Sequence, residues 1–256
     1  MTSRRTDWTG TFVPVVTPFT RTGELDEPSI RRVLDLLIEE GVDGIIVAAS
    51  TGEWFSLSNE ERVRLFAIAF EQVNKRVRLL AGTAAMATRD AVFLTDAARK
   101  LGLDGALILP PPYVLPSERE TVAFFAAVAE VGLPLMLYNN PSRTQVNINT
   151  RLLGKLVGFD AVVALKDSVK DLGQLGETLR AWKDELAIFT GMEPYAAPCL
   201  SRGATGVVAM TPNVMGREAV QLPVLVAKDR GAELLPLQEK IDRFYERMYQ
   251  WGYNPY

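Results

Sequence analysis

Short, almost wholly apolar runs alternate along the chain with longer stretches in which apolar residues recur at helical spacing. The apolar runs are rich in β-branched residues. They predict strands at Phe12–Thr17, Gly44–Ala49, Val77–Gly82, Gly105–Leu109, Pro134–Asn139, Val162–Lys166, Leu186–Thr190 and Gly206–Met210. Their interiors are apolar on both faces, as parallel strands covered by helices require. The repeat is about 30 residues, the length of one strand–helix unit, and it shortens toward the end.

The intervening stretches carry helix punctuation. Ser58-Asn59-Glu60-Glu61 and Ser117-Glu118-Arg119-Glu120 both fit the capping-box pattern, in which a serine and a glutamate three residues later satisfy each other's backbone N–H. Pro28 suits the first turn of a helix ending near Glu40. Gly41, Gly102 and Gly132 fall where helix C-caps are expected, shortly before the next strand.

Eight such units in 256 residues predict the α/β class and a (β/α)8 TIM barrel. A doubly wound open sheet is the alternative. It is weakened by the helical pattern after the eighth run and by the lack of a Gly-x-Gly-x-x-Gly turn after the first. The expected organisation is a barrel catalytic domain over residues 1–215 and a short C-terminal helical extension over 216–256, broken around Asp229–Gly231.

Composition narrows the function classes. With 28 basic against 31 acidic residues the formal net charge is -3, and no basic block stands out, so no nucleic-acid partner is expected. Met1–Asp7 lacks an apolar core of signal-peptide length, and no apolar stretch approaches the roughly 18 residues that would span a bilayer. A cytoplasmic protein without a membrane partner is the expectation. Cys199 is the single cysteine and reads as a small buried apolar residue. There is no histidine at all, so acid–base chemistry near neutral pH falls to Lys, Tyr, Ser, Thr or carboxylates.

In such a barrel the active site lies at the carboxyl ends of the strands. Those ends carry Thr17, Ser50-Thr51-Gly52-Glu53, Thr83, Pro110-Pro111-Pro112-Tyr113, Tyr138-Asn139-Asn140-Pro141, Lys166-Asp167-Ser168, Gly191 and Val208-Ala209-Met210. Lys166 ends a buried apolar run. Desolvation there disfavours the ammonium and makes an amine nucleophile available. Pairing with Asp167, or a phosphate contact, is its other reading.

Tyr138, at the end of the preceding strand, can relay protons to that amine or can simply pack its ring. The Ser50-Thr51-Gly52 turn offers hydroxyls and backbone N–H groups to a carboxylate, or is an ordinary loop. Arg143 suits a substrate carboxylate, or is a solvated surface charge. Glu53 is read as a structural carboxylate, with a catalytic acid as its other reading. A separate possibility is a divalent metal held by Glu53, Asp167 and waters.

Taken together, these residues resemble the dihydrodipicolinate synthase/N-acetylneuraminate lyase family of Schiff-base aldolases. The likeness runs from Gly10-Thr11-Phe12-Val13-Pro14-Val15-Val16-Thr17-Pro18-Phe19 almost to the C-terminus. Its most specific part is Tyr138-Asn139-Asn140-Pro141 followed by Ala164-Leu165-Lys166-Asp167-Ser168; Ser50-Thr51-Gly52-Glu53, Pro111-Pro112-Tyr113 and Gly203-Ala204-Thr205-Gly206 match in order.

The resemblance implies that Lys166 forms an imine with pyruvate or another 2-oxo acid, that Tyr138 shuttles protons with Ser50 or Thr51, and that Ser50, Thr51 and Gly52 hold the 2-oxo acid carboxylate with main chain near Gly191 and Val208. Arg143 matches the arginine that binds the aldehyde substrate's carboxylate in the synthases. Tyr113 would reach into a neighbouring subunit's site, which implies a homo-oligomer, a dimer or tetramer. No cofactor and no metal are implied.

Three departures bear on the substrate. Ser50-Thr51 stands where synthases usually have two threonines, Pro112-Tyr113 where they usually have paired tyrosines, and Gln145 where a glycine is common. These features point to a sugar-acid- or hydroxyproline-derived 2-oxo acid, with pyruvate and aspartate semialdehyde as the alternative pair. A non-catalytic 2-oxo acid sensor is the reading outside enzymes. Family members usually continue with more helix beyond Asn254-Pro255-Tyr256.

Overall fold

Eight parallel strands close on themselves in chain order in the computed structural model of the protein, which describes residues 5–251. They are β1 (Gly10–Pro14), β2 (Gly44–Val47), β3 (Arg78–Gly82), β4 (Gly105–Ile108), β5 (Leu135–Asn139), β6 (Val162–Asp167), β7 (Ala187–Thr190) and β8 (Gly206–Val208). Closure runs through β1 and β8, where Gly10 pairs with Gly206 and Phe12 with Val208. The expected (β/α)8 barrel is therefore the fold.

The period of two in each strand sorts its side chains into two cores. One phase fills the barrel interior, with Phe12, Ile46, Leu80, Leu107, Met136 and Phe189. The other packs the strands against the helices, with Val13, Ile45, Leu79, Ile108, Leu137 and Leu165. Both layers are buried, which is why the strands read as apolar throughout rather than as alternating.

Several strands end earlier than the apolar runs suggested. β2 stops at Val47 because Ala48 turns left-handed, at φ 51°, and leaves the ladder while remaining buried. Burial continues past the point where strand geometry ends, so hydropathy cannot mark that boundary.

The helices begin where their punctuation said, and two of the three expected glycine caps end theirs. The first, α1 (Glu27–Glu40), carries Pro28 in its first turn and ends on Gly41 at φ 91°. Both capping boxes form: Ser58 and Glu61 start α2 (Asn59–Val73), and Ser117 and Glu120 start α4 (Glu118–Ala129). Between them α3 (Thr88–Leu101) ends on Gly102. Gly132 is left-handed too, at φ 79°, but the cap of α4 is Glu130, two residues earlier.

After β5 come α5 (Pro141–Thr144) and α6 (Thr150–Leu156), then α7 (Leu172–Trp182) and α8 (Ala196–Leu200). Past β8 the chain forms three short helices, α9 (Pro212–Met215), α10 (Arg217–Val220) and α11 (Leu222–Ala227). A break at Asp229 separates them from the long α12 (Gly231–Trp251). Leu237, Ile241, Tyr245 and Met248 of α12 share one face and bury it against Val207, Ala209, Leu222 and Leu225. The C-terminal helix thus packs at the mouth end of β8. Met1–Arg4 and the Asn254-Pro255-Tyr256 end lie outside the described residues. Among the described residues no helix is long and apolar enough to cross a membrane.

Candidate active site

Lys166 shares the inward phase of Ala164 and is the register partner of Tyr138 on β5 and Phe189 on β7. Only 6% of it is exposed. Its ammonium nitrogen lies 4.0 Å from the centroid of the Tyr138 ring, close enough for the ring face to attract it. Ser50, Thr51, Arg143, Gly191 and Val208 line the same pocket.

Gly191 is required there on steric grounds. A β-carbon at that position would collide with Ser168 Oγ and would come within 2.7 Å of Lys166 Cε. The space alongside the lysine side chain exists because residue 191 has no side chain.

Tyr138 is buried, and the Asn140 amide donates to its phenol oxygen at 2.8 Å. With that oxygen accepting from Asn140, the phenol's own proton is free to point elsewhere. Burial alone pushes the Tyr138 phenol up. The positive charge of Lys166, with the neighbouring Asn140, Ser168 and Lys166 groups, outweighs burial and holds it below the usual tyrosine value. A phenol adjusted in this direction is better suited to exchange protons near neutral pH.

Asp167 takes the opposite phase and faces the helices, not the pocket. Its Oδ1 accepts from the Asn139 amide at 3.0 Å and from the Val169 N–H at 3.1 Å, and its Oδ2 has no hydrogen-bond partner. Asn139 in turn accepts the Ile148 N–H at 2.8 Å, tying the loop after β5 to the end of β6. Burial pushes the Asp167 carboxyl up to about 6, against those two hydrogen bonds. Two readings fall with this alternation: Asp167 is neither the ion-pair partner of Lys166 nor a ligand aimed into the pocket. Glu53 is also outside the pocket, with φ 55° at the start of the tight turn Trp54–Ser56. Among the described residues no three His, Cys, Asp or Glu side chains gather into a metal-sized group.

The remaining expected residues divide. Gly52 lies beneath the pocket rather than on its wall; Thr17 Oγ1 donates to its carbonyl at 2.7 Å, and a β-carbon there would press on the Val15 carbonyl. Tyr113, on the loop after β4, is 88% exposed and stands away from this chain's own pocket, followed by exposed Val114 and Leu115. Tyr113 and Leu115 are both left-handed, at φ 70° and 51°, a conformation that costs a non-glycine residue roughly 1–2 kcal/mol. Cys199 is buried, and burial pushes its thiol up to about 11, consistent with an inert core residue.

Four contributors had no expected role. Asn140 was legible as part of the Tyr138 motif, but its bond to the phenol is not a sequence feature. Tyr245 of α12 lines the Lys166 pocket and donates its hydroxyl to Glu193 Oε2 at 2.8 Å. Glu193 is fully enclosed and also receives the Thr211 hydroxyl, the Met210 N–H at 2.8 Å and the Thr211 N–H at 3.3 Å. Burial raises its carboxyl, with those donors pulling the other way. Arg62 of α2 is buried, with the charge of Asp90 acting on it. It donates to the Gly82 and Ala84 carbonyls and lies 5.4 Å from the Trp54 ring centroid, and burial lowers its guanidinium to about 10.

The fold is a closed (β/α)8 barrel whose mouth holds a buried lysine beside a tyrosine in register on the adjacent strand. The sequence profile of the dihydrodipicolinate synthetase family matches residues 7–255, and the chain belongs to that family of lyases. A DapA-like lyase of Rhizobium meliloti, itself described as uncharacterized, is 40% identical over 94% of this chain and 80% of the relative. The 4-hydroxy-tetrahydrodipicolinate synthase of Pelobacter propionicus is 38% identical over 83% of this chain and 73% of its own length. Among solved structures, YagE from E. coli, a prophage protein of the dihydrodipicolinic acid synthase family in complex with pyruvate, superposes with a TM-score of 0.92. It is 28% identical, covering 96% of this chain and 84% of that one.

Proposed function

We propose that the protein is a Schiff-base-forming lyase acting on a 2-oxo acid through Lys166. The observation that carries this reading is the buried Lys166 amine against the Tyr138 ring in a mouth lined by Ser50, Thr51 and Arg143. The amine adds to the ketone carbon, water leaves, and the imine withdraws electrons from the neighbouring carbon. That carbon can then lose a proton, or the next carbon–carbon bond can break, giving an enamine. Reprotonation and hydrolysis return the free amine. Tyr138 moves the protons, and Ser50 and Thr51 hold the carboxylate and extend the relay. No further cofactor is needed for these steps.

The substrate proposed first is a sugar-acid- or hydroxyproline-derived 2-oxo acid, on the Ser50-Thr51 and Pro112-Tyr113 departures. Condensation of pyruvate with aspartate semialdehyde is the second reading, favoured by Arg143 in the pocket wall and by the synthase relatives. Exposed Tyr113, Val114 and Leu115 on a conformationally costly loop support a homo-oligomer in which this loop meets a second copy and Tyr113 completes its site. A cytoplasmic location accords with this small-molecule chemistry.

Borohydride treatment in the presence of pyruvate should add a reduced pyruvyl group at Lys166, read by mass spectrometry, and Lys166→Ala should abolish it. No adduct with any of a panel of 2-oxo acids would overturn the proposal. Turnover of the same panel separates the substrate readings.

A further inference from the structure

Asn140 breaks a local rule that its neighbours obey. It stands at the N-cap of α5, directly before Pro141, and asparagine is among the residues best suited to cap a helix with its side chain. Asn149 does so at the start of α6, where its Oδ1 accepts the Leu152 N–H at 3.0 Å, and Asp171 caps α7 with its carboxylate. The Asn140 side chain makes no capping bond. Its amide turns instead to the Tyr138 phenol and donates to that oxygen at 2.8 Å.

The backbone of Asn140 is held independently of this amide. Pro141 disfavours helical geometry in the residue before it, and Asn140 takes φ -143° and ψ 79°. Its carbonyl accepts the Arg143 N–H at 3.0 Å, the Thr144 N–H at 3.1 Å and the Thr144 hydroxyl at 3.1 Å. Asn140 is buried, on the wall shared by the cavity at Lys166 and an adjoining one of about 250 Å³ that Lys170 and Tyr249 also line.

A phenol oxygen that accepts from an amide directs its own proton away from that amide. The other group whose charge acts on this phenol is Lys166. Arg143 and Tyr245 are the remaining ionisable side chains that line the pocket with them. The lysine charge is intermittent: the ammonium and the protonated imine carry it, and the enamine does not. The amide donor is present at every stage.

We propose that Asn140 is a positioning residue for proton transfer, its amide fixing the Tyr138 phenol oxygen and the direction of the phenol's proton throughout the cycle. The assignment rests on the imine reading for the cycle, and on the bond to Tyr138 for its geometry.

The probe is pyruvate in heavy water. In its protonated imine a methyl C–H bond breaks, the C–H pair forms the carbon–carbon double bond, the C=N pair moves onto nitrogen, and the proton goes to the Tyr138 oxygen. A deuteron then returns to the same carbon, and NMR follows the loss of the methyl signal. Asn140→Leu fills similar space without a donor, and Asn140→Asp keeps the shape without an N–H. Both should slow exchange about 10-fold, the weight of one hydrogen bond, while borohydride still traps pyruvate at Lys166. In both, the limb of the pH profile that Tyr138→Phe abolishes should move to higher pH. In a Tyr138→Phe background, Asn140→Leu should slow exchange no further.

Parent-like exchange, an unmoved limb, or additive losses in the double variant would each overturn the proposal. If Asn140→Leu does not fold, Asn140→Asp carries the test, with Tyr138→Phe as its background. Failure of the imine reading shows separately, as no pyruvate adduct in the parent protein. The phenol then decides by itself. With tyrosine isotope-labelled at the phenol carbon, the Tyr138 resonance, assigned by its absence in Tyr138→Phe, should titrate at higher pH in the Asn140 variants, and an unchanged titration would overturn the assignment.

Discussion

Lys166 Nζ stands 4.0 Å from the centroid of the Tyr138 ring, and the two residues are register partners on adjacent strands. The pair is rigid because both Cα positions are fixed by the same ladder and both side chains take the inward phase. The ring attracts the ammonium; the hydroxyl, held by Asn140, handles protons. Tyr138→Phe separates these roles. The ring and its packing remain, while the buried Asn140 amide loses its acceptor, so a loss of about 1–3 kcal/mol is expected and read as a fall in the thermal midpoint. Turnover should fall by about 100-fold or more, the usual weight of a lost general acid–base group. Steady-state kinetics with trapping by borohydride checks this, and the Lys166 adduct should still form, more slowly.

Gly191 sets the shape of the lysine pocket. In Gly191→Ala the new methyl would meet Ser168 Oγ and crowd Lys166 Cε. Small-to-large changes in such packed places cost about 1–3 kcal/mol, which thermal unfolding will register. The larger effect should be on chemistry. Displacing the amine from its angle of attack should slow imine formation about 10-fold or more, read as the rate of pyruvate trapping.

Asp167 gives a pH dependence of defined sign. Its carboxyl is raised from 3.8 to about 6 by burial. Between those values the folded protein keeps a proton that the unfolded chain has lost, so stability falls as pH rises through this window and is level above it. Asp167→Asn preserves the oxygen that accepts from Asn139 and Val169 and removes the charge. Relative to the parent it should gain stability at pH 8, by at most about 3 kcal/mol, and little of that gain should remain at pH 4. Denaturant midpoints at the two pH values measure the difference.

Glu193 fastens α12 to the barrel mouth. Removing the carboxyl in Glu193→Ala leaves the Tyr245 and Thr211 hydroxyls and two backbone N–H groups without their acceptor. Each buried group left unpaired costs about 1–3 kcal/mol, so a total of roughly 3 kcal/mol or more is expected. Hydrogen exchange should quicken along α12 before it does in β5 and β6. Equal protection of α12 in the variant and the parent would show that Glu193 does not hold the helix.

Local signals carried a large part of the picture. Both capping boxes form because a serine and a glutamate three residues apart meet within a single helical turn, whatever lies beyond it. Gly41 and Gly102 terminate helices because a left-handed residue is cheapest without a β-carbon. The Tyr138 and Lys166 motifs were legible for a similar reason: their strands, and the mouth end where they lie, follow from the order of apolar runs. The outward turn of Asp167 was also implicit, since residues adjacent in a strand face opposite sides.

The amino-acid sequence by itself determined the eight strand–helix units, their caps, and the lysine and tyrosine at neighbouring strand ends. All of these depend on interactions within one unit or between successive ones. Only the tertiary structure decided that Glu193 would meet Tyr245, that Asn140 would hold the Tyr138 phenol, and that Lys170 and Arg143 would face one cavity beneath Tyr249. These contacts arise from barrel closure and from the angle at which α12 docks. That geometry is set by the packing of the whole core, and no local stretch of sequence contains it.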